Sequence, residues 1–173
     1  MLLLIACPAA QLGVELPPGG ADAISHEDLR RDVRRLTNEA PDVVFVERMG
    51  QMQFAATGQD QGAWCVARVG KAAGESVTLV AAWPGNAGEA TAAAALISIA
   101  KAWDLDGGPP GPRTLCLLEA GGAVPDGASL VGPLAPTDLP PERLVYTDLQ
   151  AQVRALFVAL PNPTRPAPRP RSP

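Results

Sequence analysis

The chain has 173 residues, enough for one domain with a single core and too few for two ordinary ones. Aromatic residues make up 4% against 47% apolar residues overall, so the core has to be built from Ala, Val and Leu. A net charge of −4 supplies no overall basic field and argues against nucleic acid as a partner.

The first residues read as an attachment segment. Leu4-Ile5-Ala6-Cys7 resembles the bacterial lipobox, in which the cysteine is lipidated after cleavage. The apolar run Met1–Ala6 has no Lys or Arg and is shorter than the ~7–15 residues of a secretory signal. Lipidation of Cys7, with a start further upstream, is therefore one reading, and a chance motif is the other. Residues 1–7 are the signal in the first reading, and residues 8–23, rich in Pro and Gly, are a linker.

Ser25 opens the first helix. Its hydroxyl faces the free N–H at the third helical position, and Asp28 there favours the positive helix end. Ile24 and Leu29 have hydrophobic-staple spacing, and Leu29, Val33 and Leu36 repeat at i, i+4, i+7. Pro41 closes this helix. Three strands are expected next, at Asp42–Glu47, Gln51–Ala56 and Trp64–Val69, together a meander at one sheet edge.

Ser76–Trp83 reads as a strand covered on both faces, cut off by Pro84-Gly85-Asn86. An Ala-rich helix over Glu89–Trp103 follows, then a loop at Gly107–Pro112 and a strand at Arg113–Glu119. Strand, crossover helix and strand make a parallel βαβ unit. A short strand is expected at Ser129–Val131 and a last helix over Asp148–Leu160, with Thr147 as its N-cap. From Pro161 to Pro173 six prolines interleave with Arg165, Arg169 and Arg171, which is a solvated tail rather than fold. No apolar run has the length of a membrane span.

Cys65 and Cys116 each fall within a strand. A disulfide in an oxidising compartment is one reading. Two buried thiols is the one we expect, since free cysteine is among the most buried residue types.

Ligands in α/β sheets bind beyond the carboxyl ends of parallel strands, here Trp83–Gly88 and Glu119–Val124. The succession of capped helix, edge strands, Trp64-Cys65-Val66-Ala67-Arg68-Val69-Gly70, the Val77–Trp83 strand, Ala-rich helix and Arg113-Thr114-Leu115 strand resembles the di-zinc aminopeptidases of the aminopeptidase S and Y type. Pro140-Pro141-Glu142-Arg143-Leu144-Val145-Tyr146-Thr147-Asp148-Leu149 resembles the approach to that family's final helix. The likeness covers roughly residues 24–161 and is one of spacing and hydrophobic pattern. It implies a single three-layer α/β domain with a mixed, mostly central-parallel sheet flanked by helices, shortened relative to the zinc exopeptidase fold.

The family's metal chemistry does not carry over with it. Its first zinc-binding His and companion Asp fall near Trp83 and Gly85, its bridging Asp around Asn86–Gly88, and its paired Glu around Gly122, Ala123 and Val124. None of these positions holds a ligand residue, and a catalytic zinc takes about three protein ligands. Glu89 and Glu119 are the only nearby carboxylates, read more simply as a helix-start residue and a strand-end side chain. His26, the only histidine, lies in an exposed first helical turn far upstream. Asp104, Asp106 and Asp126 lie in loops with no reason to converge, and Trp64, Trp83 and Trp103 read as packing groups. No nucleophile elbow, phosphate loop or paired-cysteine zinc motif is present.

The expectation is thus a shortened zinc-exopeptidase-like domain without catalysis, metal or cofactor. It would bind a protein or peptide partner and be lipid-anchored in the cell envelope, or cytoplasmic if the Cys7 motif is chance. A weak hydrolase using Glu89 and Glu119, and a fragment that completes its sheet with a partner chain, are the alternatives.

Overall fold

The computed structural model describes residues 20–160; the expectations for Cys7, most of the linker and the Pro/Arg tail lie outside them. Gly20–Ala23, assigned above to the linker, form a 3-10 turn in contact with the third and fourth helices. Helix α1 (His26–Asn38) starts as expected. Ser25 Oγ accepts from the N–H groups of Glu27 at 3.2 Å and Asp28 at 3.5 Å. Leu29, Val33 and Leu36 are buried, and Ile24 joins them in the core.

Asp42–Glu47 is not a strand. It belongs to helix α2 (Pro41–Gly50), which Pro41 opens rather than α1 being closed by it. Proline suits the first helical position because its missing N–H would have no partner there, and Asp42 faces the positive helix end. Val44, Phe45 and Met49 are fully buried, so burial of this face overrides the β propensity of Val43–Val46. Gln51–Phe54 is also misassigned. It is a turn, with Gln53 at φ 56°, that drops Met52 and Phe54 into the core.

Strands β1 (Ala55–Asp60) and β2 (Ala63–Arg68) form an antiparallel hairpin. Its two-residue turn has positive φ at both Gln61 and Gly62, which matches the right-handed twist of the strands. Strand β3 (Val77–Ala82), helix α3 (Ala87–Leu105) and strand β4 (Arg113–Leu118) make the expected parallel βαβ unit. Strand β5 (Ser129–Val131) lies where expected. Helix α4 (Tyr146–Ala159) starts earlier than expected, with Val145 and not Thr147 at its N-cap position and no side-chain cap.

The sheet order is β1-β2-β4-β3-β5. The β3 pairings are parallel and the β2 pairings antiparallel, giving one mixed α/β sheet with four α-helices around it. The main core joins helix residues to Val66, Leu79, Ala81, Leu115 and Leu117, which share one sheet face. On the other face Ala63, Val80, Cys116 and Leu118 form a smaller cluster, with Cys65 and Ala128 packed against it. Because β5 lies beyond β3, the connection from β4 has to cross β3, and Ala128 shows that it passes over this second face.

Every residue from Ala90 to Ala100 in α3 is buried. The run Ala92–Ala95 presents only methyl groups, so α1, α4 and β3 all approach the helix closely. Polar ties fix the layers from outside. Lys101 bonds Asp28 of α1, Arg68 of β2 bonds Asp104 at the end of α3, and Arg35 bridges Glu39 and Glu47. Burial pushes the Asp28 carboxyl up, but the hydrogen bonds and charges of Lys101 and Arg31 outweigh it and leave it below its ordinary value.

Candidate functional site

The carboxyl ends of β3 and β4 sit side by side. Ala82 pairs with Leu118, and the Trp83 N–H donates to the Leu118 carbonyl at 2.6 Å, carrying the ladder one residue further. Beyond it, Pro84 is buried and Gly85 exposed. Asn86 Oδ1 accepts from the Glu89 N–H at 2.9 Å, and Glu89 Oε2 accepts from the Gly85 N–H at 2.7 Å. Each side chain thus satisfies a backbone donor at the start of α3, a variant of the capping box. Replacing Asn86 with Ala is expected to cost about 1 kcal/mol of stability, read as a lower urea midpoint with an unchanged slope.

Gly88 lies against a separate strand of chain. A Cβ there would come within 2.4 Å of Thr137 Cα and 2.6 Å of the Pro136 carbonyl oxygen. Thr91 Oγ1 reinforces the contact by donating to the Gly88 carbonyl and accepting from the Leu134 N–H. Glycine is needed here for close packing, so the position has no room for a ligand side chain.

On the β4 side, the Glu119 N–H donates to the Gly62 carbonyl at 2.8 Å, and Glu119 Oε1 accepts from Trp64 Nε1 at 3.0 Å. Gly122 folds back so that its N–H donates to the Glu119 carbonyl, and a Cβ on it would meet Leu118 Cδ1 at 2.7 Å. Ala123 and Val124 are exposed. A zinc site at these strand ends would draw on Trp83, Gly85, Asn86, Gly88, Gly122 and Ala123, and this donor set does not fit a zinc ion. Among the described residues no group of three or more His, Cys, Asp or Glu could hold a metal.

The other candidates are structural groups or exposed side chains. His26 is exposed, with its side chain 3.2 Å from Glu27. Asp104, in the last turn of α3 rather than in a loop, pairs with Arg68, and Asp106 pairs with Lys71 at 2.7 Å. Asp126 is exposed. Trp103 is buried against Phe157, with ring centroids 6.0 Å apart, while Trp64 and Trp83 are half-buried against the main core.

No family model matches the chain, and no curated protein does. No helix among the described residues is long and apolar enough to cross a membrane.

One feature goes against the favoured sequence reading, and a second escaped it. Cys65 and Cys116 form a disulfide, which corrects the expectation of two free thiols. They stand opposite each other in the β2–β4 register with Cα atoms 4.2 Å apart, so the bond links neighbouring strands directly. Their placement in two strands was legible. Their pairing needed the knowledge that β4 inserts between β2 and β3. The second feature is a cavity of about 300 Å³ at the opposite end of the sheet, walled by Trp103, Arg113, Phe157 and Leu160. Arg113 is 1% exposed, donates to the Pro112 carbonyl and lies 5.5 Å from the Trp103 ring. Burial lowers its guanidinium from the ordinary value.

Proposed function

We propose that this domain is a non-catalytic relative of the di-zinc aminopeptidases that is exported to the cell envelope and acts by holding a protein or peptide partner. The observation that carries the proposal is the employment of its two strand-end carboxylates. Glu89 fastens the start of α3 through the Gly85 N–H, and Glu119 holds the Trp64 indole. Each carboxylate is engaged through one oxygen in fixing its own strand end, and this structural employment supports the non-catalytic reading. The kinship rests on the order of elements, with a capped helix, an edge hairpin, a βαβ unit and a closing helix. Export draws support from the Cys65–Cys116 disulfide, a bond that persists in oxidising compartments.

Metal analysis of the purified chain combined with an aminoacyl-anilide assay tests the proposal. A zinc-free protein without turnover is the expected result. Stoichiometric zinc together with hydrolysis, abolished by Glu89→Gln and Glu119→Gln, would establish the hydrolase reading instead. Anchoring is tested separately by fatty-acid labelling in cells, which should be lost in Cys7→Ala.

A second reading is favoured by one edge of the sheet. Among the described residues strand β1 pairs on one side only, and Ala55, Ala56, Thr57, Gly58 and Gln59 are exposed and uncharged. Such an edge invites a partner strand, although the bulge between Ala56 and Gly58 twists part of it away. Sedimentation as a stable monomer that resists added strand peptides would remove this reading.

A further inference from the structure

Across the sheet face opposite the main core runs one transverse row, Gly58–Cys65–Cys116–Val80, each member paired in register with the next. The disulfide occupies the middle of that row. Thiol–disulfide exchange is an in-line displacement, so an attacking sulfur has to arrive on the far side of the sulfur it attacks. Behind Cys65 stands Gly58, which has no side chain, and a Cβ built there would have no atom of the described residues within 4 Å. Behind Cys116 stands Val80, a branched side chain that is itself 0% exposed, and Cys116 is likewise 0% exposed. Cys65 is half-buried. The row is open at one end and shut at the other.

We propose that the Cys65–Cys116 bond exchanges with external thiols through Cys65 alone, making Cys65 the protein's site of mixed-disulfide formation. The thiolate of a glutathione-class monothiol attacks Cys65 Sγ from above Gly58. A new S–S bond forms to Cys65, the Cys65–Cys116 bond breaks, and Cys116 leaves as a thiolate that takes a proton from water. A second thiolate then attacks the external sulfur of the mixed disulfide and releases Cys65. In sum, two external thiols are oxidised to one disulfide and the protein is reduced to a dithiol.

One effect opposes this direction. A buried sulfur is a poorer leaving group than an exposed one, which slows the route. Attack at Cys116 would instead require the sheet to open around Val80, and openings of core strands are rarer by several powers of ten. Access therefore decides the direction.

The test uses the full chain carrying Cys7→Ala, so that two cysteines remain. The oxidised protein is treated with limiting reduced glutathione in native buffer, quenched with acid and mapped by mass spectrometry. Glutathione on the Cys65 peptide is expected; glutathione mainly on Cys116, or reduction only at the rate of global unfolding, overturns the proposal. The single variants Cys116→Ala and Cys65→Ala, treated with glutathione disulfide, should differ at least 100-fold in rate in favour of Cys65. Comparable rates overturn it. In Gly58→Asn, a residue that tolerates positive φ, the first attack should slow several-fold, and an unchanged rate counts against the approach over Gly58. Because the mapping uses the disulfide-bonded protein, the proposal stays falsifiable if either single-cysteine variant fails to fold.

Discussion

Replacing Cys65 and Cys116 together by alanine is expected to lower the free energy of unfolding by about 4 kcal/mol. The two residues lie 51 apart in sequence, and a cross-link over a loop of that length removes much of the freedom of the unfolded chain. The folded state should survive the change, because β2 and β4 remain paired through their full register and the main core lies on the other sheet face. Urea unfolding should show a lower midpoint and a steeper slope, since the uncross-linked chain exposes more surface. The thermal midpoint should fall by roughly 10 °C. A loss below about 1 kcal/mol would mean that native-state distortion cancels the entropic gain.

The second large effect is expected in Arg48→Ala. Asp32 lies on the buried face of α1 with its side chain 1% exposed, and Arg48 of α2 meets it at 3.2 Å. Burial raises the Asp32 carboxyl above its ordinary value, with the charges of Arg48 and Arg31 pulling the other way. Removing Arg48 leaves Arg31, itself largely solvated, as the remaining partner. Breaking a buried pair from one side costs about 3–5 kcal/mol, and the surviving arginine places this variant near the lower end.

The pH dependence follows from the direction of the shift. A carboxyl whose folded value lies above its unfolded value binds protons more tightly when folded. Its favourable contribution is present in acid and is lost as pH rises through the folded value. In the variant that value climbs further, so the deficit should be largest at neutral pH and should shrink on acidification. Urea titrations at two pH values check this, and a deficit equal at both would exclude Asp32 as its source. Pairing Arg48→Met with Asp32→Asn should recover most of the loss, because two neutral groups no longer leave a charge stranded.

These two sites also mark where sequence reasoning stops. Periodicity exposed α1, and long apolar runs exposed β3, α3 and β4, because each pattern is set by burial within a single element. The Val43–Val46 run in α2 was misread because β-branched residues favour strands when nothing else decides. Here the pairing of Phe45 and Met49 on one buried face decided for helix. Met52 and Phe54 alternate as a strand would, yet they reach the core from a turn. Asp32 sits between apolar Leu29 and Val33 on a face that the pattern marks as core. Its position opposite Arg48, sixteen residues on, together with neighbouring Arg31, explains how a carboxylate is tolerated there.

The strand-end site was legible in outline because a βαβ unit announces where its strands end. What Glu89 and Glu119 bind was not, since the Gly85 N–H and the Trp64 indole are brought to them by a cap and by a neighbouring strand. The choice between a disulfide and two free thiols was undecided for the same reason, as strand order is a property of the whole sheet.

Helix α3 has a consequence for how the molecule breathes. From Ala90 to Ala100 it has no solvent-facing side, with α1 and α4 around it and β3 beneath. Its amide hydrogens can reach water only when those neighbours part together, whereas exposed β1 can fray alone. Deuterium should therefore enter the hairpin edge first and this helix last, at a rate set by whole-molecule opening. The residues with the smallest side chains would then keep the longest memory of the folded state.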